Sequence, residues 1–403
     1  MRRLVVVGAS LAGLRAAQGA RAAGFDGELV VVGDEPRLPY TRPPLSKELL
    51  AGVQTPDDCH LPSRAIEAEW RLGVAASGLD KAARVVRLAD GDVVPYDRLI
   101  VATGCRARRW PGGSLAGMHT LRSVDDALEL KAAFAQRPRL AIIGAGFIGC
   151  EVAATARKQG LEVTVVDIAP HPMLPLGEEL GVRCAEMHRS HGVILKLETG
   201  VAAIEGQDRV EALTLTDGSR VEADLVVVAL GAVPNTRWLG AAGGLACDAT
   251  LTSLGDPDIL GAGDAISWPH PLADDEHVRV EHWTTAAEHG QLAGRNALLD
   301  PGDRAAHELP PYFWSDQYDV KIQAVGFPSR AERLEIVEST PDGDRFVAAG
   351  ARNSRLVGVV AFNAAKRLGW YRRQLPDLPA FEDVKRTVAA DEKALGGAAV
   401  ATT

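Results

Sequence analysis

The chain has 403 residues, of which 46% are hydrophobic, and this indicates a globular protein with two or three domains. Its formal net charge of −9 argues against a nucleic acid as partner. No apolar run approaches the roughly 18 residues of a membrane span, so we expect a cytoplasmic protein with no membrane association.

The first predicted element is a buried strand, residues 4–7, that runs into a turn of small residues. A helix and a second strand follow, and the second strand ends at two acidic residues, Asp34 and Glu35. Strand, turn, helix, strand and acid in this order predict a dinucleotide-binding fold, with the pyrophosphate at the helix N-terminus and the acid on the ribose. The small residues of the turn are Gly8, Ser10 and Gly13. Ser10 departs from the usual glycine, and the sequence leaves open which of the two acids contacts the ribose.

The same pattern recurs 136 residues later, after the apolar residues 140–143. Its glycines are Gly144, Gly146 and Gly149, and Asp167 ends the strand that follows. Two such folds in one chain predict two dinucleotides and electron transfer between them. Asp167 would repel the 2′-phosphate of NADPH, and residues 168–174 contain no Lys or Arg to neutralise that phosphate. The sequence therefore favours NADH.

Further patterns predict how the chain is divided. A strand that ends in glycine closes each fold, at residues 96–104 and 224–231. The Gly-x-Gly-Asp segment that ends at Asp264 predicts that the chain then returns to the first fold and places a carboxylate at a helix N-terminus. The C-terminal part has predicted strands at 320–325, 334–337, 346–349 and 356–362 and helices at 364–374 and 383–395. We predict an α/β protein with three domains: 1–108 with 239–311, 109–238, and an α+β domain at 312–403.

The cysteines and histidines give little support for a thiol or metal centre. No two of the five cysteines lie within 30 residues of each other, which excludes a close redox dithiol and indicates packed, reduced thiols. His188 and His191 have metal-like spacing but no third ligand nearby, so we interpret them as a solvated helix face and predict no metal site.

Several segments together carry a family resemblance. They are residues 39–47, Ala102-Thr103-Gly104, residues 144–151, residues 261–264, Glu281-His282-Trp283 and Trp314-Ser315-Asp316-Gln317. In this order they resemble the NADH-dependent ferredoxin reductases of bacterial cytochrome P450 and Rieske-type dioxygenase systems, over roughly residues 3 to 375. The resemblance implies a glutathione-reductase-like fold, with FAD in the first nucleotide fold, NADH in the second, and a C-terminal domain.

The resemblance also implies roles for single residues. Lys47 would reach the flavin near N5, Glu151 would face the nicotinamide and could interact with Lys47, and a ferredoxin would dock near Trp314. The implied FAD contacts are Gly8, Ser10, Gly13, Asp34, Glu35, Arg42, Pro44, Lys47, Val74, Thr103, Gly104, Arg122, Asp264 and Trp283. The implied NADH contacts are Gly144, Gly146, Gly149, Glu151 and Asp167.

The implied activity is electron transfer from NADH through FAD to a [2Fe–2S] ferredoxin that supplies a P450 or Rieske oxygenase. Residues 39–47 contain no Cys, so no thiol relay is expected. The candidate docking charges are Arg106, Arg108, Arg109, Lys366, Arg367, Arg372 and Arg373. Three alternatives stay open: a small acceptor such as a quinone or monodehydroascorbate, a rubredoxin, or an NADH-sensing flavoprotein without catalysis. Trp314 could also simply pack a domain junction.

Overall fold

The computed structural model describes residues 1–63, 65–391 and 394–395, and its chain forms two compact units. The first unit contains Met1–Thr41, Cys59–Arg106 and Val233–Phe313. The second contains Arg42–Asp58, Ala107–Ala232 and the chain from Trp314 onward. The boundaries of the three predicted domains stay predictions.

A five-stranded parallel sheet forms the core of the first unit. Its strands, in spatial order, are Ile259–Gly261, Arg98–Val101, Arg3–Val7, Glu28–Gly33 and Glu69–Leu72. The central strands are runs of Val, Leu and Ile because both faces of a parallel sheet are covered. Helices Leu11–Ala22 and Trp283–Asn296 belong to this unit and pack against each other. Their backbones approach closely, since a Cβ at Gly290 would lie 2.2 Å from the Ala12 carbonyl oxygen.

The second unit contains a parallel sheet with the same arrangement. Its strands, in spatial order, are Met118–His119, Leu225–Val228, Leu140–Ile143, Val163–Val166 and Ile194–Lys196. In each sheet the strand before the glycine turn is central, with the strand that leads to the acid on one side and the strand that ends the fold on the other. The two predicted nucleotide-binding folds and the α/β class are therefore confirmed. The helices of this part are Val124–Phe134, Phe147–Lys158 and Glu178–Ser190.

An antiparallel sheet lies in the C-terminal part of the chain. Its spatial order is Tyr312–Gln317, Val320–Gly326, Arg355–Phe362, Phe346–Arg352 and Arg333–Ser339. Helices Ala365–Gln374 and Phe381–Ala389 follow. The prediction of an α+β segment is confirmed, but the sequence missed the strand Tyr312–Gln317. The last helix ends at Ala389, and part of its predicted extension to residue 395 lies outside the described residues.

Smaller elements complete the two units. Three short sheets contain Ala76–Asp80, Val85–Leu88 and Val93–Pro95; Val201–Glu205, Ala212–Leu215 and Arg220–Glu222; and Leu245–Ala246, Ile266–Pro269 and His277–Val278. The strands Cys105–Ala107 and Ala232–Pro234 stand where the chain passes between units. Throughout the described chain, helices stop short of the length and apolarity that crossing a membrane requires.

Candidate active site

The second glycine-rich turn leaves room for a phosphate against its backbone. Gly144 has φ +109, and a Cβ at Gly149 would lie 2.0 Å from the Gly144 carbonyl oxygen, so neither position accepts a side chain. The position of a Cβ at Gly146 has no atom within 4 Å. Helix Phe147–Lys158 begins here without a side-chain cap from Gly146. Its first N–H groups are therefore suited to a pyrophosphate.

Asp167 lies at the end of the neighbouring strand, beside this turn. Its carboxylate accepts hydrogen bonds from the Ala145 N–H at 2.5 Å and the Ala169 N–H at 2.8 Å. The next residue, Ile168, is exposed. Main-chain donors thus hold the carboxylate at the edge of the turn, where a ribose of a bound dinucleotide would lie.

The first glycine-rich turn has the same construction in the first unit. Gly8 has φ +122, and a Cβ at Gly13 would lie 1.7 Å from the Gly8 carbonyl oxygen. Ser10 precedes helix Leu11–Ala22, and its side chain makes no capping hydrogen bond. The serine therefore leaves the helix N-terminus available to a phosphate, as the usual glycine would.

Two acids follow the second strand of this fold, as predicted. Asp34 is exposed, whereas Glu35 is half-buried and accepts a 2.5 Å hydrogen bond from the Tyr40 hydroxyl. The main-chain N–H of Val74 donates to the Gly33 carbonyl, which brings Val74 to the end of the same strand. These residues gather at the carboxyl edge of the first parallel sheet.

Asp264 is buried in the first unit but does not begin an α-helix. It lies in the 3-10 turn Gly263–Ala265, which leads into the strand Ile266–Pro269. The predicted helix N-terminus at Asp264 is therefore wrong, because the chain continues in extended conformation after one turn. The Cys105 thiol lies 3.4 Å from the Asp264 carboxylate.

Thr103 and Gly104 follow the strand Arg98–Val101 in this unit. The Thr103 hydroxyl donates to the Asn235 carbonyl at 2.8 Å, and the Gly104 carbonyl accepts from the Asn235 N–H at 2.9 Å. Trp283 is the first residue of helix Trp283–Asn296, and its indole N–H lies 3.2 Å from the Thr41 hydroxyl. Both segments are fixed by contacts within the first unit.

The segment Pro43–Ser46 of the second unit is a 3-10 turn with two prolines at its start. Arg42 precedes it and donates to the Arg122 carbonyl at 2.7 Å. The Pro44 carbonyl accepts from the Lys47 N–H at 3.1 Å. The fixed φ of proline makes this turn rigid, so it presents Ser46 and Lys47 in a defined direction.

A buried carboxylate, Glu151, lies on the helix that begins at the second glycine turn. The Lys47 ammonium donates to its Oε2 at 2.9 Å, and the Ser46 hydroxyl donates to the same oxygen at 2.5 Å. The Ser315 hydroxyl donates to Oε1 at 2.7 Å. Only 11% of the Lys47 side chain and 5% of the Glu151 side chain are exposed. A charge pair this far from water is stable only with such additional donors.

The sequence did not indicate that Ser46, Ser315, Gln317 and His188 extend this site. The Gln317 amide nitrogen donates to the Ser315 hydroxyl at 3.0 Å, and its oxygen lies 2.9 Å from Nε2 of His188. His188 is 1% exposed, so the prediction of a solvated helix face is wrong for this residue. Burial lowers the pKa of His188 to about 4. Residues two apart in a strand face the same side, so the spacing of Ser315 and Gln317 could have indicated that both side chains reach the same site.

The predicted docking charges do not all face solvent. Arg106, Arg108, Arg109, Lys366 and Arg373 are exposed, and Arg372 is half-buried. Trp314 is half-buried in the strand Tyr312–Gln317. Arg367 is instead buried and pairs with Glu338 at 2.7 Å and Asp391 at 2.9 Å. Arg367 therefore stabilises the C-terminal part of the second unit and cannot contribute to docking.

The cysteines are packed, as predicted. All five are buried thiols. Burial raises the pKa of the Cys184 thiol to about 12 and raises the pKa of the Cys150 thiol well above its ordinary value. These thiols are therefore poor nucleophiles. Within residues 1–63, 65–391 and 394–395, no three His, Cys, Asp or Glu side chains are grouped so that they could hold a metal ion.

Comparison with protein families gives two matches. The model described as pyridine nucleotide-disulphide oxidoreductase matches residues 2–290, and the model described as reductase C-terminal matches residues 312–394. Together these matches span both glycine-rich folds and the C-terminal sheet.

Individual relatives cover nearly the whole chain. The ferredoxin–NAD(+) reductase component of the anthranilate 1,2-dioxygenase system of Burkholderia cepacia is 36% identical, over 92% of this chain and 93% of that protein. The crystal structure of the ferredoxin reductase for the CYP199A2 system from Rhodopseudomonas palustris has a TM-score of 0.88 at 30% identity, over 95% of this chain and 96% of that one. The reductase in a covalent putidaredoxin reductase–putidaredoxin complex has a TM-score of 0.88 at 29% identity, over 95% of each chain.

Proposed function

The chain belongs to the pyridine nucleotide-disulphide oxidoreductase family, and we propose that it passes electrons from NADH through FAD to a [2Fe–2S] ferredoxin. The ferredoxin supplies an oxygenase, either a cytochrome P450 or a Rieske dioxygenase. The observation that carries this proposal is the buried Lys47–Glu151 pair on the helix that begins at the second dinucleotide turn. The segment that presents Lys47 has no cysteine, so the acceptor is reached without a disulfide.

Proteins of this family use FAD and NAD(H), and the two glycine-rich turns fit them by shape. In the first unit, Gly8, Ser10 and Gly13 bind the FAD pyrophosphate, and Asp34 or Glu35 binds its ribose. Asp264 binds the ribityl chain through its buried carboxylate. The further FAD contacts are Arg42, Pro44, Lys47, Val74, Thr103, Gly104, Arg122 and Trp283.

In the second unit, Gly144, Gly146 and Gly149 bind the pyrophosphate of NADH. Asp167 accepts from the ribose hydroxyls and repels a 2′-phosphate. The open space at Gly146 supports this assignment. The proposed NADH preference depends on Asp167, since Ile168 cannot supply a positive charge.

FAD, when bound, accepts a hydride and releases its two electrons singly. Lys47 places a positive charge where negative charge develops on reduction, and Glu151 orients the nicotinamide and holds Lys47. No side chain transfers a proton to carbon in this scheme; the protein supplies orientation and charge. Trp314 would lie on the acceptor side, and the candidate docking charges are Arg106, Arg108, Arg109, Lys366, Arg372 and Arg373.

We also propose that the protein is cytoplasmic and that its FAD, NAD and C-terminal domains follow the boundaries predicted from the sequence. Buried, reduced thiols support a reducing compartment. The residue ranges matched by the two family models support a separate C-terminal domain.

The function is tested by comparing both half-reactions in wild type and in Trp314→Ala. Flavin reduction by NADH is followed by stopped-flow absorbance, and reduction of a [2Fe–2S] ferredoxin is followed in steady state. We expect Trp314→Ala to slow ferredoxin reduction about tenfold or more while flavin reduction stays nearly unchanged. Ferredoxin reduction should also fall as salt is raised, because the docking charges are screened.

The matched control is Trp370→Ala, which removes a half-buried tryptophan from helix Ala365–Gln374. Equal loss of both half-reactions in Trp314→Ala would assign Trp314 to packing. Rapid quinone reduction without ferredoxin reduction in the wild type would contradict the proposed acceptor.

A further inference from the structure

Glu151 lies at one end of a buried chain of polar side chains in the second unit. From Glu151 outward the members are Ser315, Gln317, His188 and Tyr318. Ser315, Gln317 and His188 are each at most 1% exposed. Tyr318 is half-buried and stacks on the exposed ring of His191, with ring centroids 3.6 Å apart. The chain therefore connects the buried Lys47–Glu151 pair to the surface.

The charge on Glu151 determines the direction of every hydrogen bond in this chain. An ionised carboxylate can only accept, so the single hydroxyl proton of Ser315 must point to Glu151 at 2.7 Å. Ser315 can then only accept from Gln317, which places the amide nitrogen toward Ser315 at 3.0 Å. That nitrogen also lies 3.3 Å from the sulfur of Met173, which accepts but cannot donate.

The amide oxygen of Gln317 consequently faces His188, and this determines the tautomer of the imidazole. Nε2 of His188 must carry the proton that is donated to Gln317 at 2.9 Å. Nδ1 is then bare and accepts from the Tyr318 hydroxyl at 3.1 Å. His188 is neutral at pH 7, since burial lowers its pKa to about 4.

We propose that Tyr318, His188, Gln317 and Ser315 are positioning residues that hold the Glu151 carboxylate in place by a hydrogen-bond chain of fixed direction. The proposal rests on the proposed function in one respect, the role of Lys47 beside the flavin. The consequence concerns Lys47. Ser46 and Ser315 already satisfy Glu151 from both of its oxygens, so Lys47 can turn toward negative charge without leaving a bare buried carboxylate.

This chain positions Glu151 and does not conduct protons. The Gln317 amide accepts through its oxygen and donates through its nitrogen, so passing a proton along it would require an imidic acid. Each hydrogen bond of the chain fixes the direction of the next, so the loss of one of them weakens the hydrogen bond that Ser315 donates to Glu151. Lys47 would then stay bound to Glu151 and stabilise a reduced flavin less.

The direct test is the tautomer of His188 in wild-type protein labelled with ¹⁵N-histidine, measured by NMR at pH 7. The imidazole signals of His188 are identified as those that are absent from the spectrum of the His188→Gln variant. We expect a protonated Nε2 and a bare Nδ1. A protonated Nδ1, or a doubly protonated ring, would overturn the proposal, because either would reverse or break the chain. This readout needs no catalytic activity.

The second test measures the midpoint potential of bound flavin by dye equilibration in Ser315→Ala and Gln317→Met. We expect each to disfavour reduction by about tenfold, which is about 30 mV more negative for a two-electron couple. The matched control is Gln323→Met, a buried glutamine on the adjacent strand Val320–Gly326. Equal potentials in all three variants and the wild type would overturn the proposal. Because neither test uses NADH or ferredoxin, a failure of the proposed electron donor or acceptor would be seen separately.

Discussion

The buried Lys47–Glu151 pair makes a quantitative prediction about stability. Replacing Lys47 by Met removes the ammonium 2.9 Å from Glu151 and leaves a carboxylate that is 5% exposed. Breaking a buried pair from one side costs about 3–5 kcal/mol. Because the Ser46 and Ser315 hydroxyls remain on Glu151, we expect the lower end of this range, about 3 kcal/mol.

The double variant Lys47→Met with Glu151→Gln should recover most of this loss. It leaves no uncompensated charge, since an amide of nearly the same shape replaces the carboxylate. We expect it to be about 2 kcal/mol more stable than Lys47→Met alone, a coupling typical of residues in direct contact. The assay is thermal unfolding of the FAD-loaded protein, where about 3 kcal/mol corresponds to a midpoint lower by about 3–4 °C for a chain of 403 residues.

Lys158→Met is the matched control for this cycle. Lys158 lies on the helix Phe147–Lys158, which also carries Glu151, but its side chain is exposed and donates to the Tyr318 carbonyl. Its replacement should cost no more than about 0.5–1 kcal/mol. If Lys47→Met unfolds at the same temperature as Lys158→Met, or if the double variant is no more stable than Lys47→Met, the pair does not hold a buried charge.

Three further predictions concern the cofactors and pH. Wild type should use NADH at least about tenfold better than NADPH in steady-state assays, and the double variant Asp167→Ala with Ile168→Arg should have a smaller NADH preference. Equal use of both coenzymes by wild type would show that Asp167 does not select between them. Asp264→Ala should bind FAD about tenfold to a hundredfold more weakly in a fluorescence titration, and unchanged affinity would remove Asp264 from the site. Burial lowers the pKa of His188 and of His270 to about 4, below the ordinary 6.5 of the unfolded chain. The unfolded state therefore binds more protons as the pH falls from about 6.5 toward 4, and each histidine should cost roughly 2 kcal/mol of stability at pH 5. Urea unfolding at pH 7 and pH 5 measures this, and equal stability at both would contradict it.

The sequence predicted the two nucleotide folds because each depends on local signals. An apolar strand, the glycines and the acid stand within about 30 residues of each other. Gly13 and Gly149 are each required by a contact with the first glycine of their own turn, and those first glycines have positive φ. The segment Tyr312–Gln317 was not recognised as a strand because its buried residues, Ser315 and Gln317, are polar. Polar residues at alternate positions predict a solvent-exposed segment, and only the contact of Ser315 with the buried Glu151 carboxylate shows that they face inward.

Two of the remaining errors concern a residue whose partner lies far along the chain, and the third concerns a local turn. His188 meets Gln317 across 129 residues, so its hydrogen-bond partner could not be read from the local sequence. Its burial could have been, because Leu180, Cys184 and Ala185 place apolar side chains on the same helix face. Arg367 stands among other basic residues, but its partner Glu338 lies 29 residues before it. Asp264 resembled a helix cap because glycines precede it, whereas the strand Ile266–Pro269 follows and ends the turn.

The most direct test of the proposed electron path is a single-turnover experiment without oxygen. FAD-loaded protein is reduced with one equivalent of NADH and mixed with two equivalents of an oxidised [2Fe–2S] ferredoxin, and the flavin and cluster absorbances are followed together. We predict that flavin reoxidation and cluster reduction proceed at the same rate, with about two ferredoxins reduced per flavin, as two single-electron steps require. A reduced flavin that stays reduced in the presence of ferredoxin, yet is reoxidised at once by a quinone, would contradict it.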